Sequence, residues 1–127
     1  MKSRVIHFDL SADNPERAVE FYRAVFSWEM SKWEGPEDYW MIQTGSKDEP
    51  GITGGIAKRI KPEDTTVPIF DVSSVDDAVK KVVEAGGTVR EEKRPIPGVG
   101  YLVTCRDTEG NTFGIMEPDE NVSQQIA

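Results

Sequence analysis

From Val5 to Leu10 apolar and polar residues alternate, placing Ile6, Phe8 and Leu10 on one face and Val5, His7 and Asp9 on the other. This predicts a strand whose first set meets a helix. Asn14-Pro15 supplies the helix start, because asparagine accepts a backbone N–H and proline lacks only a donor that would be unpaired at the first helical position. Ala18, Phe21, Tyr22 and Val25 then recur at i, i+3, i+4 and i+7 as one apolar stripe, and Ser27-Trp28 closes the helix. Three strands follow at residues 30–33, 39–43 and 52–57, divided by Gly35-Pro36 and Asp48-Glu49-Pro50-Gly51. The unit reads βαβββ.

The same order returns. Phe8-Asp9-Leu10-Ser11 is echoed by Phe70-Asp71-Val72-Ser73, again just before a helix. Ser74 caps that helix with Asp77 three residues on. Ala78, Val79, Val82 and Val83 form its buried stripe, and Gly86-Gly87 stops it. Thr88-Val89-Arg90 starts a strand, residues 95–100 form a turn-rich loop, and strands at 101–105 and 112–117 flank a turn at 107–111. The chain is therefore expected to be one domain: a first module over about 1–60, a linker at 61–66, a second module over about 67–118 and a polar tail at 119–127, mobile at its end. The predicted fold class is α+β. Two βαβββ modules in one chain pair their curved mixed sheets around a cavity, because a helix on one face of each sheet leaves the other face in need of cover.

Composition narrows the function. A net charge of -8 repels phosphate backbones and anionic lipid, so nucleic acid and membrane are excluded as partners. Lys58-Arg59-Ile60-Lys61 is a local exception, read as a solvated strand end. The single Cys105 rules out an internal disulfide and a CxxC motif, and is read as an inert packed thiol. No basic-then-apolar leader and no apolar run near the roughly 18 residues of a bilayer span is visible. A cytoplasmic location is the expectation.

Taken together, the strand His7-Phe8-Asp9-Leu10, the Ala18 to Phe21-Tyr22 helix, Gly54-Gly55, and the stretch from Ile96-Pro97-Gly98 to Asn111-Thr112-Phe113-Gly114 resemble the vicinal oxygen chelate superfamily. That superfamily comprises glyoxalase, bleomycin-resistance and extradiol-dioxygenase proteins, and the chain is most similar to members related to lactoylglutathione lyase. The resemblance implies paired βαβββ modules, homodimers and, in metal-dependent members, a divalent ion held by His and Glu from the first and last strands of each module. His7 stands at the first such position. The corresponding positions in the second module are Val67 or Ile69, depending on the alignment used. The carboxylate positions fall within Gly54-Gly55-Ile56 and on Gly114, with Glu117 three residues on and so on the opposite face.

One imidazole does not hold a catalytic metal at neutral pH. The expected function is therefore that of a glyoxalase/bleomycin-resistance-like protein binding a small organic molecule without a metal or other cofactor, with His7 a remnant ligand position. His7, Asp9, Trp40, Gln43 and Tyr101 are the candidate contacts, and His7 is also the candidate acid or base, since imidazole titrates near 6.5. Whether a reaction follows binding stays open. One alternative is a divalent-metal lyase or dioxygenase, its missing ligands coming from Asp9, Glu117 or a second chain. Another is an antibiotic-sequestering protein. The bare pair Gly54-Gly55 predicts a bulge or the close approach of a ligand or another backbone.

Overall fold

A computed structural model describes residues 3–122. Elements run in the order β1 (Val5–Ala12), α1 (Pro15–Phe26), β2 (Glu29–Lys32), β3 (Tyr39–Gln43), β4 (Thr53–Lys58), β5 (Val67–Asp71), α2 (Val75–Glu84), β6 (Thr88–Ile96), β7 (Gly100–Arg106) and β8 (Thr112–Pro118). The fold is α+β and contains βαβββ twice, as the repeated Phe-Asp motif indicates. Two compact bodies result among the described residues: His7–Val67, and residues 3–6 together with 68–122.

In the first body the strand order is β2-β3-β4-β1, with β1 and β4 parallel and the other pairs antiparallel. Helix α1 starts at the expected cap, where the Asn14 side chain accepts the Arg17 N–H at 3.1 Å and Pro15 opens the first turn. It ends on Ser27, which adopts a left-handed φ of 58° and donates its N–H to the Arg23 carbonyl. The stripe is rotated from the expected one. Pro15 and Val19 are buried, with Ala18 and Tyr22 beside them, while Phe21 and Val25 are more than half exposed. Tyr22 stacks on Trp28 at 5.5 Å, and Phe26 on Trp28 at 5.1 Å. These ring contacts set a helix orientation that i+3 and i+4 counting could not resolve.

Val19, Ile42 and Ile56 form the core under α1, with Phe8, Leu10, Met30 and Trp40 packed against it. Ile6 does not join Phe8 and Leu10 there. It packs instead with Ile69, Leu102, Met116 and Ile96 in the second body, where the Asp71 N–H also donates to the Arg4 carbonyl. The basic run after β4 is tied locally: Lys58 Nζ donates to the Asp13 carbonyl and Arg59 Nη2 to the Ser11 carbonyl.

The second body repeats the topology as β5-β8-β7-β6, with β5 and β8 parallel. Ser74 caps α2 through the Asp77 N–H, and Glu117 Oε1 accepts the Val75 N–H at 3.1 Å, a carboxylate at the positive end of the helix. Glu117 thus faces the helix, as its odd offset from Gly114 requires. Of the expected stripe, Ala78, Val79 and Val82 pack against Val75, Val103, Cys105 and Ile115, whereas Val83 is exposed. The loop expected at 95–100 is shorter than that: residues 97–99 form the turn, and β7 already starts at Gly100. β6 runs through Pro95 to Ile96, tolerable because β6 ends the strand order and an edge strand can spare a donor. The start of the tail is packed: Val122 is 7% exposed and its carbonyl accepts the Gly98 N–H. The expectation of a mobile end falls on 123–127, outside the described residues.

Candidate functional site

The site lies on the face of the first sheet away from α1. The register sets His7 opposite Thr53, Asp9 opposite Gly55, and Gly55 opposite Met41. With period-two alternation this gathers His7, Asp9, Thr53, Tyr39, Met41 and Gln43 on one face.

Tyr39 lies across β4. A Cβ on Gly55 would fall 1.6 Å from its hydroxyl and 2.0 Å from the carbon bearing it, so only a residue without a side chain lets the phenol reach β1. The neighbouring Gly54 does the same on the other face, where a Cβ would meet the Phe8 ring at 2.3 Å. What approaches Gly54-Gly55 is thus neither a ligand nor another backbone but two side chains, Phe8 from one side and Tyr39 from the other.

Four side chains form a chain of short contacts. Tyr39 OH donates to Asp9 Oδ1 at 2.6 Å, His7 Nε2 lies 2.6 Å from the Tyr39 oxygen and 3.2 Å from Asp9 Oδ1, and His7 Nδ1 lies 2.8 Å from Thr53 Oγ1. Burial, and then the Asp9 carboxylate acting both as a charge and as a hydrogen-bond acceptor, with a further contribution from Glu37, push the Tyr39 phenol far above its ordinary value of 10.0. The phenol remains neutral at any physiological pH.

This has a consequence at alkaline pH. An unfolded tyrosine loses its proton near pH 10 while folded Tyr39 keeps it, so the unfolded state binds fewer protons and stability falls as pH rises past 10. Tyr39 should contribute a slope of about 1.4 kcal/mol per pH unit there, absent from Tyr39→Phe. In a phenolate absorbance titration one of the three tyrosines should stay protonated until unfolding. Ordinary ionisation of all three in the folded protein would contradict the arrangement.

Beside His7 opens a groove of about 340 Å³ lined by His7, Thr53, Met41, Gln43, Glu29 and Ser31, with backbone of neighbouring residues. Of the residues singled out from sequence, His7 and Gln43 line it and Asp9 stands behind His7. Trp40 does not belong to it. Its ring packs into the core under α1, with Nε1 buried and without an acceptor. On a period-two strand Trp40 and Gln43 cannot share a face, so pairing them was inconsistent, and Tyr39 is the aromatic residue with the parity of Gln43. Tyr101 lies in the second body among the residues packed under α2, with Lys93 Nζ 4.8 Å from its ring centroid. Thr53 is the residue that sequence reasoning missed, because only the β1–β4 register sets it opposite His7.

The donors do not suit the divalent ion of metal-dependent relatives. Both ring nitrogens of His7 are engaged by side chains, and among the described residues no three His, Cys, Asp or Glu come together. In the second body Ile69 faces Gly114, and a Cβ on Gly114 would meet Ile69 and Leu102 at 3.2 Å each. That corner is apolar, buried and filled by side chains without ligating atoms.

The profile of a family described as Glyoxalase-like domain matches residues 5–116. Among solved structures the chain is similar to a methylmalonyl-CoA epimerase in complex with methylmalonyl-CoA and NH4+, at 15% identity and a TM-score of 0.67, covering 97% of this chain and 99% of that one. It is also similar to a Mycobacterium tuberculosis methylmalonyl-CoA epimerase, at 11% identity and a TM-score of 0.69, covering 93% and 88%. A variant of the Streptomyces coelicolor methylmalonyl-CoA epimerase bound to 2-nitronate-propionyl-CoA matches at 14% identity and a TM-score of 0.66, covering 97% and 99%. No curated protein sequence matches.

Proposed function

The chain belongs to the glyoxalase-like domain family of the vicinal oxygen chelate superfamily, and on that premise we propose that it binds a small uncharged or cationic organic molecule in the groove beside His7. The observation that carries this reading is the groove itself, which combines an apolar wall from Met41 with polar atoms from His7, Gln43 and Thr53 at one end. Its volume lies at the lower end of the range for small-molecule sites, and the flexible Met41 side chain adapts to irregular ligands.

Charge selects among ligands. Glu29 is the ionised group in the lining, and among the described residues no Lys or Arg joins it. With -8 on the whole chain, a phosphate-bearing ligand would meet repulsion and no counter-charge in the groove. The relatives bound to CoA esters therefore speak for the fold, and this groove favours a ligand without phosphates. The reading extends to a cytoplasmic homodimer, in which the buried Cys105 thiol would stay reduced.

The test is a thermal-shift screen of uncharged and cationic aromatic molecules, thiol adducts and bleomycin-type antibiotics against the parent protein and Met41→Trp. Met41 is 48% exposed, so the larger ring has room on the surface side while it fills the groove. A ligand present at 100 times its dissociation constant should stabilise the parent by about 2.7 kcal/mol and leave Met41→Trp unshifted. Hits that shift both proteins equally would place binding elsewhere.

A further inference from the structure

Resting on the reading that the groove seats a small molecule, we propose that Thr53 is a nucleophile activated by His7, and that the groove accepts an uncharged carboxylic ester whose acyl group passes transiently to the Thr53 hydroxyl.

Counting protons along the four-residue chain leads to this role. An ionised Asp9 only accepts. Tyr39 carries a single proton and gives it to Asp9 at 2.6 Å, so toward His7 its oxygen must accept. That requires the proton of a neutral imidazole to sit on Nε2, and Nδ1 is left with its lone pair. Thr53 Oγ1, 2.8 Å from Nδ1, is then the donor. Three donations therefore run in one direction, from Thr53 to His7 to Tyr39 to Asp9. A hydroxyl, a base and a group that orients the base occur in this order where an imidazole raises the nucleophilicity of an alcohol; here Tyr39, backed by Asp9, is the orienting group, and such an order is recognised by geometry rather than by fold.

Position supports the same role. Thr53 is exposed and lines the groove, whereas Tyr39 and Asp9 lie behind the imidazole. The side chains of His7 and Asp9 are 22% and 27% exposed, so the base is shielded but reachable. Nothing in the binding reading requires a half-buried neutral phenol between the imidazole and the carboxylate. A relay that fixes one tautomer of His7 does require it. Tyr39 is thus a positioning residue, and Gly55 is the vacancy that admits it.

The reaction balances with water as the only co-reactant. Thr53 Oγ attacks the ester carbonyl carbon and its proton moves to His7 Nδ1. The C–O bond to the alcohol portion breaks, and His7 returns the proton to the departing oxygen. Water then attacks the acyl-threonine, giving its proton to His7 Nδ1. The threonine oxygen leaves with that proton, releasing a carboxylic acid and restoring the hydroxyl.

The experiment uses the full chain and 4-nitrophenyl acetate, following nitrophenolate release and locating the acetyl group by peptide mass. The expected result is acetylation of Thr53, abolished in Thr53→Val, retained in Thr53→Ser, and slowed at least about 100-fold in His7→Asn, the usual contribution of a general base. Tyr39→Phe should slow acylation in the parent but not in the His7→Asn background, a non-additivity that a purely structural role would not produce. Circular dichroism of each variant confirms folding. Acetyl groups found only on lysines, or Thr53 acetylated equally fast without His7, would overturn the proposal. If Thr53→Val and the parent show the same ligand-induced thermal shift while neither forms an acyl adduct, the nucleophile is wrong and the groove reading stands. Unchanged acylation in Met41→Trp would overturn the groove as the ester's seat.

Discussion

Replacing Ile56 by alanine is expected to remove about 2–5 kcal/mol of unfolding free energy, a large share of the 5–15 kcal/mol typical of a domain. Ile56 is 0% exposed and sits on the central strand β4, opposite Leu10 of β1 and Trp40 of β3, with Val19 and Ile42 in the same cluster. Truncation takes three carbons from a site walled by two β-strands and a helix, none of which can close the space without giving up its own hydrogen bonds. Both the lost transfer free energy and the remaining cavity therefore weigh against the folded state. Urea denaturation should show a lower midpoint with the slope unchanged. Because Ile56 faces α1 and the groove lies on the other side of the sheet, the fraction that stays folded should still bind groove ligands. A loss below 1 kcal/mol would show that β4 packs less tightly against α1 than the structure has it.

Gly55→Ala should act on the opposite face. The new methyl group would stand 1.6 Å from the Tyr39 hydroxyl, and the ring, met edge-on by Trp33 at 6.0 Å, must swing away. Displacement of that kind costs about 1–3 kcal/mol. It also separates His7 from Tyr39 and Tyr39 from Asp9, leaving His7 with Asp9 at 3.2 Å and Thr53 at 2.8 Å. Two readouts distinguish this from simple destabilisation. The alkaline titration should regain an ordinary tyrosine in the folded protein, and acylation at Thr53 should slow to the level of Tyr39→Phe. A Gly55→Ala protein whose third tyrosine still resists ionisation would show that the phenol does not need the bare glycine.

How much of this was readable beforehand depended on the range of the interaction responsible. Asn14 and Ser74 cap helices through atoms three residues away, and the parity of His7 with Asp9, and of Glu117 against Gly114, follows from strand geometry alone. The rotation of α1 was not legible, because choosing between Phe21 and Val19 as the buried residue depends on ring contacts with Trp28 across the end of the helix. Tyr101 and Trp40 were drawn to the groove by their chemistry as aromatic strand residues, although alternation alone, set against Gln43, placed Trp40 with the core.

The sequence by itself determined the repeated βαβββ order, the acidic balance, the lone histidine on the face away from α1 and the need for two bare positions at Gly54-Gly55, since each of these rests on near neighbours or on a count. Only the tertiary structure decided that Thr53 meets one nitrogen of His7 and Tyr39 the other, because the parallel register of β1 with β4 and the reach of a side chain from β3 across β4 are set by hydrogen bonds between segments more than 30 residues apart.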